Sequence, residues 1–359
     1  MRDWPGIIEL SGTNEAQLNL ELKSHIIVSM LRERVESLNR IEDKLMWLVA
    51  PLGVVIGLLL GDSISSAAYL GKYIFMILTF SGAISMQARE FLNVLKHPKA
   101  IITFLVAGKI VSPLICTLLI KLIMPDMPES VLGYILVLTG PIAVTSFIWS
   151  GIYKGNGSLA LTLIMLDTII TPFSMPLYTS LLSGQHVEID VLSMMLSLVE
   201  LVVLPMAVGI GANELSGNKL KTKYSIYFKP IGKLALFVAL VLNCCKVRDA
   251  VTSLTWSDWT IVVSAFIVVI VSFFIGYLAC RMLKIEQDRT VTVTFCCGLK
   301  NNTASLVIAT SFFSSEAALS VVMLILFQQV ICSWLGTWIF QSRKKQPQID
   351  SNQPDGNIR

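Results

Sequence analysis

Between residues 45 and 340 the chain alternates apolar runs of about twenty residues with short polar stretches. A helix rises about 1.5 Å per residue, so each run is long enough to cross roughly 30 Å of hydrocarbon. Runs bounded by charge or turn residues fall at 45–61, 67–87, 99–122, 130–153, 158–184, 189–212, 229–246, 258–282, 289–312 and 315–340. The pattern predicts an all-α polytopic membrane protein with ten transmembrane helices. Residues 1–44 read differently. Ile27, Met30, Leu31, Leu38 and Ile41 recur at near-helical spacing among Arg and Glu residues, the signature of a cytoplasmic or interfacial amphipathic segment. Residues 341–359 are polar and read as a disordered cytoplasmic tail.

Composition agrees with the pattern: 54% of the 359 residues are hydrophobic and 14% charged, against about 25% charged in soluble chains. Charge then orients the spans. With the N-terminus in the cytoplasm, 21 Lys and Arg residues fall on the inner side and three on the outer. That bias is the positive-inside pattern. It predicts a multi-pass protein of the cell (plasma) membrane with both termini cytoplasmic. The first apolar run starts late, so no cleavable signal peptide is expected. The net charge of +4 is spread over many short loops, which does not suggest nucleic acid. All seven cysteines lie in or at the ends of apolar runs without metal-ligand spacing. No metal or cofactor is expected.

Two spans are interrupted in their middles. The fourth reads "VLGYILVLTGPIAVTSFIWSGIY", broken at Gly140 and Pro141, with Thr145 and Ser146 just after. The ninth contains "TFCCGLKNNTASLVIATSFF", where Gly298, Lys300, Asn301 and Asn302 stand together. A break inside lipid leaves amides and carbonyls unpaired, which is costly unless they line a cavity. Ten spans divide into two sets of five, and each break falls in the fourth span of its set. Because five is odd, the second set enters from the opposite face. This gives two inverted repeats, 45–184 and 189–340, with a solute site where the broken helices four and nine cross.

These residues resemble a known family. "FSGAISMQAREFLNVLKHPKAIITFLVAG", "GPIAVTSFIWSGIYKGNGSLALTLIMLDTIITPFSMPL" and "GLKNNTASLVIA" are similar to segments of the bile acid:sodium symporter superfamily. The resemblance implies a core domain of spans three to five and eight to ten, and a panel domain of spans one, two, six and seven. It also implies transport of organic anions such as bile acids and small carboxylates, or arsenite export in one branch. The sodium-dependent members hold their ions with a Ser-Asn pair after the first break, hydroxyls in span five, a Glu-x-Gly-x-Gln-Asn motif in span nine and a Gln in span three. Aligned without gaps, those positions read Ser146-Phe147, Ala160 and Ile164, Cys296 through Asn301, and Gly108 with Lys109 beside it. Phe, Ala, Ile and Cys do not supply oxygen ligands, so sodium coupling by the family scheme is not expected. Lys300 is expected where a sodium ion sits in relatives, as a tethered positive charge facing the solute cavity.

Ionisable residues inside a membrane are functional candidates by default. Besides Lys300 these are Lys109, Asp167 and Glu200. Asp167 lies three residues after Ile164, on the same helix face. It is expected to pair with Lys300, either as a proton-loading couple or as a permanent structural bridge. Lys109 is the other partner open to Asp167, and Glu200 a possible counter-charge for Lys109. Asn301, Asn302, Thr303, Thr145, Ser146 and Lys300 are the expected solute contacts, with Phe147 lining an apolar part. The function expected is secondary transport of a small anionic solute, proton-coupled or uncoupled. Two alternatives stand beside it: metalloid efflux, for which span four lacks a cysteine, and a membrane sensor that has lost transport. No zinc-protease or serine-hydrolase motif is present, so an enzyme is not expected.

Overall fold

The computed structural model describes residues 51–89, 98–184, 190–253 and 259–341, with six isolated positions before residue 51. The amphipathic segment expected over 1–44 and the tail expected over 341–359 thus fall almost wholly outside the described residues.

The described elements are helices: α1 (Pro51–Ala67), α2 (Leu70–Ala83), α3 (Pro98–Ile123), α4 (Pro128–Thr139), α5 (Thr145–Ile152), α6 (Gly157–Ser183), α7 (Val191–Leu215), α8 (Ser225–Cys244), α9 (Trp259–Met282), α10 (Gln287–Gly298), α11 (Asn302–Phe312) and α12 (Ser315–Phe340). Among the described residues six helices are long and apolar enough to cross a membrane; a seventh is added if α1 and α2, bent by 104° to each other, are taken together. The chain is an all-α polytopic membrane protein. Helices α4, α5, α10 and α11 have 12, 8, 12 and 11 residues. At about 1.5 Å per residue, each reaches only part of the way across the hydrocarbon.

Local chemistry sets the helix ends. Pro141 lacks an N–H and disfavours helical backbone at Gly140, which is extended at φ −61°, ψ 169°. Downstream starts carry side-chain caps. Asn156 Oδ1 accepts from the Leu159 N–H at 2.9 Å to open α6, and Asn301 Oδ1 accepts from the Ala304 N–H at 3.2 Å to open α11. Ser314 Oγ does the same for α12.

Small residues let the helices pack closely, as they do where lipid offers no competing hydrophobic drive. Helix α2 packs on α8 and α7, α4 packs on α12, and α9 packs on α10, α3 and α12. A Cβ added at Gly133 of α4 would lie 2.1 Å from the Ala317 carbonyl oxygen of α12; one at Gly57 of α1 would lie 2.6 Å from the Val241 carbonyl oxygen of α8. Lys72 of α2 meets Glu200 of α7, and further along both helices Ala83 meets Gly209. Helices α2 and α7 therefore run in the same direction.

Candidate functional site

The two breaks meet and bond to each other. The Ala143 N–H donates to the Leu299 carbonyl at 3.0 Å and the Asn301 N–H donates to the Pro141 carbonyl at 2.7 Å. Together they close an antiparallel bridge with Ile142 opposite Lys300. The crossing thereby pairs backbone groups that neither helix can satisfy. Directly opposed residues project to one face, and their neighbours to the other. The halves pair crosswise around this bridge. Ser305 Oγ of α11 donates to the Leu136 carbonyl of α4 at 3.0 Å. On the other side Ser150 of α5 meets Thr292 of α10 at 2.9 Å.

That alternation fixes where Lys300 points. Ile142 packs in a buried cluster with Phe104, Ala107, Cys296 and Cys297. Lys300, only 3% exposed, follows it toward α3. Its Nζ donates to the Gly108 carbonyl at 3.3 Å and lies 5.8 Å from the centre of the Phe104 ring. Among the described residues no carboxylate pairs with it. The sequence predicts Lys300 facing a solute cavity; its ammonium lies toward α3, and it is not among the residues lining the cavity beside the crossing.

The Asp167–Lys300 pair does not form either. Asp167 is fully buried, and its Oδ1 lies 2.8 Å from Lys109 Nζ. Its Oδ2 accepts from the Ile142 N–H at 2.7 Å. Lys109 Nζ also donates to the carbonyls of Thr139 at 3.0 Å and Gly140 at 3.3 Å, and to Thr171 Oγ1 at 3.0 Å. The last carbonyls of a helix lack intrahelical partners and carry the negative end of its dipole. Lys109 thus caps the broken end of α4 while Asp167 covers an amide of the break. A π-turn at Ala107–Val111 surrounds Lys109; its extra residue changes which way the side chains after it face.

The second break is finished without charge. Gln328 of α12 donates Nε2–H to the Gly298 carbonyl at the end of α10, at 3.1 Å, and its Oε1 accepts from Asn302 Nδ2 at 2.6 Å. A Cβ on Gly298 would lie 2.2 Å from the Phe273 ring. Only glycine lets α10 end against α9 in this way.

A cavity of about 50 Å3 lies beside the crossing. Pro141, Ile142, Val144 and Asn301 of the breaks form one wall; Thr79, Ala83 and Met86 on or just beyond α2, Met206 of α7, and Ile164 and Thr168 of α6 form the others. Of the expected solute contacts, Asn301 alone lines it. Asn302 is held by Gln328, Ser146 lies 3.8 Å from Cys296 Sγ, and Thr303 is buried. Thr145 sits one residue past the cavity wall, its hydroxyl buried without a partner. Phe147 lies over Gly157 at the α5–α6 turn. Glu200 does not reach Lys109; it pairs with Lys72 at 2.6 Å, both side chains partly exposed. Sequence reasoning missed Thr79, Thr168, Thr171 and Gln328. Gln328 did carry a signal, as an amide inside the apolar run "LILFQQVIC".

Residues 73–254 match the model of the Sodium Bile acid symporter family. The chain is 32% identical over 291 residues to the Bacillus subtilis "Uncharacterized protein YbaS", covering 81% of this chain and 95% of that one. It is 23% identical over 303 residues to the "Uncharacterized sodium-dependent transporter YocS" of the same organism, covering 82% and 91%. It is 27% identical over 188 residues to the "Probable sodium/metabolite cotransporter BASS1, chloroplastic" of Arabidopsis thaliana, covering 52% and 46%.

Proposed function

The chain belongs to the sodium bile acid symporter family, a family of membrane transporters and not of enzymes, and from that premise we propose that it carries small organic anions by a cycle that is not driven by sodium. The observation that carries this reading is the bonded crossing of the two breaks, with a cavity against one side. Discontinuous helices meeting in a membrane are where transporters hold their solutes, with half-helix N-termini aimed at anionic groups. Here α5 and α11 begin at the crossing. Among the described residues two buried ammonium groups, Lys109 and Lys300, stand against one buried carboxylate, Asp167. The surplus positive charge in a low-dielectric region favours an anion nearby. Asn301 supplies an amide donor, whereas the Thr79 and Thr168 hydroxyls donate to the Phe75 and Ile164 carbonyls of their own helices. An otherwise apolar lining around that donor suits a small carboxylate with a short carbon skeleton.

The finer architecture is part of the same proposal. Residues 45–340 form ten spans in two inverted repeats, 45–184 and 189–340, with broken spans four and nine, a core of spans three to five and eight to ten, and a panel of the rest. The parallel run of α2 and α7 supports it, because three crossings between them, α3, α4 with α5, and α6, give that direction. Both termini face the cytoplasm and the cell membrane is the location, on the distribution of Lys and Arg.

The test is uptake into proteoliposomes with an internal pH indicator, offering short carboxylates with and without a sodium gradient. Uptake indifferent to sodium supports the proposal. Sodium-dependent uptake overturns the coupling reading, and no flux from folded protein with any carboxylate overturns the anion-transport reading.

A further inference from the structure

The geometry points to Lys109 as a tethered cation that permanently fills a monovalent-cation site at the broken end of α4. The transporter then cycles without a dissociable coupling ion, and removing the Lys109 side chain opens that site to a free monovalent cation. This rests on the transport reading above and adds how coupling is dispensed with.

Carbonyls at the ends of half-helices in a membrane are ready cation ligands. In this chain both such ends are occupied by its own donors. The Thr139 and Gly140 carbonyls of α4 receive the Lys109 ammonium, and the Gly298 carbonyl of α10 receives the Gln328 amide. The two ends differ in charge, and the difference identifies the cation site. Around Lys109 Nζ stand four oxygens: the Asp167 carboxylate at 2.8 Å, the Thr171 hydroxyl at 3.0 Å, and the two carbonyls at 3.0 and 3.3 Å. This is an oxygen cage with one negative charge and one positive occupant.

The same cage without the lysine side chain holds a buried carboxylate, hydroxyl and two carbonyls. The carboxylate keeps one hydrogen bond, from the Ile142 N–H, and the hydroxyl still donates to the Asp167 carbonyl, but no positive charge faces them. Leaving such a carboxylate uncompensated in a low-dielectric interior is strongly unfavourable. A cation that enters relieves it. The single negative charge selects a monovalent ion. The oxygen distances exceed the roughly 2.3–2.6 Å of calcium sites, so ammonium or potassium fits with little contraction and sodium with more. The other titratable groups facing the region are Lys300, on the far side of Gly108, and the Cys296 and Cys297 thiols at the end of α10. None of them is an alternative anion, so Asp167 carries the cage charge.

The experiment is thermal unfolding of the detergent-purified full chain in sodium, potassium, ammonium or choline chloride at equal ionic strength. Choline serves as the cation too large for the cage. The wild type is expected to melt at one temperature in all four salts. Lys109→Ala is expected to melt lower in choline and to rise by roughly 1–2 °C in a small cation at about five times its Kd. Lys109→Ala combined with Asp167→Asn, which removes the cage charge, is expected to lose that response. A wild type stabilised by sodium or potassium over choline overturns the inference. So does a Lys109→Ala variant indifferent to all four salts, or one unfolded in every one of them. None of these readouts uses transport, so failed uptake with the expected melting pattern counts against the transport reading alone.

Discussion

Lys109 and Asp167 meet at 2.8 Å between α3 and α6, and each also holds backbone of the first break, the lysine through two carbonyls and the aspartate through the Ile142 amide. The pair thus joins three spans at one point.

Removing one member leaves the other buried without its counter-charge, which costs about 3–5 kcal/mol. Lys109→Met and Asp167→Leu are each expected to lower stability by about that much in choline chloride. The double variant is expected to lose less than the sum, because neither charge is then stranded. A double-mutant cycle by thermal or denaturant unfolding in detergent checks this. Additive losses would mean that the two residues act on the break independently.

Solute binding separates Asn301 from Lys300. Asn301 lines the cavity and caps α11, and aspartate caps a helix as well as asparagine does. Asn301→Asp is therefore expected to fold normally while placing a negative charge against an anionic solute. A hydrogen bond to a charged group contributes roughly 1.5–3 kcal/mol, so KM is expected to rise at least tenfold. Lys300→Gln, turned toward α3, is expected to change KM by less than Asn301→Asp does. Initial uptake rates over a range of solute concentrations decide it; a larger KM effect at Lys300 would place the lysine in the solute path.

Much of this arrangement was legible in the residues, for reasons particular residues make plain. Gly140-Pro141 marked the first break because proline removes a donor and forces extended backbone ahead of itself. The cluster of Lys300 with Asn301 and Asn302 marked the second. Directions were another matter. Three-residue spacing put Asp167 and Ile164 on one face but did not say which neighbour that face meets. The π-turn at Ala107–Val111 leaves no trace in an apolar run, yet it shifts the facing of α3 where Lys109 sits. Lys300 lies within a polar cluster, and its inward turn follows only from being opposite Ile142 in a bridge between residues 158 positions apart in sequence. Gln328 and Glu200 show the same limit. Their partners, Gly298 and Lys72, are set by how spans pack, which the pattern along a single span does not encode.

Gln328 is the neutral counterpart of Lys109. Gln328→Leu leaves the Gly298 carbonyl and the Asn302 amide buried without partners, each at about 1–3 kcal/mol. The variant is expected to be destabilised by several kcal/mol, with the loss reduced when Asn302→Ala is added. Gln328→Glu keeps an acceptor for Asn302 but offers no donor to Gly298 when ionised, so it is expected to be destabilised as well. Unfolding midpoints of the three variants test the assignment, and a Gln328→Leu variant as stable as wild type would remove Gln328 from the end of α10.

The same chemical change is expected to have opposite signs at two glycines. Gly211 of α7 has nothing within 4 Å of an added Cβ, and alanine in a helix is favoured over glycine by about 0.8–1.0 kcal/mol. Gly211→Ala is therefore expected to stabilise slightly. At Gly133 the added carbon would lie 2.1 Å from the Ala317 carbonyl oxygen and 2.8 Å from Ser320 Cβ. A backbone oxygen cannot swing aside as a side-chain tip does, so α12 must move away from α4. Overpacking of this kind costs about 1–3 kcal/mol. The displacement reaches the site, because α12 carries Gln328 to the Gly298 carbonyl. Gly133→Ala is expected to lower the unfolding midpoint and to slow uptake, while Gly211→Ala leaves uptake unchanged. Equal midpoints for the two variants would mean that α4 and α12 are not held at this separation.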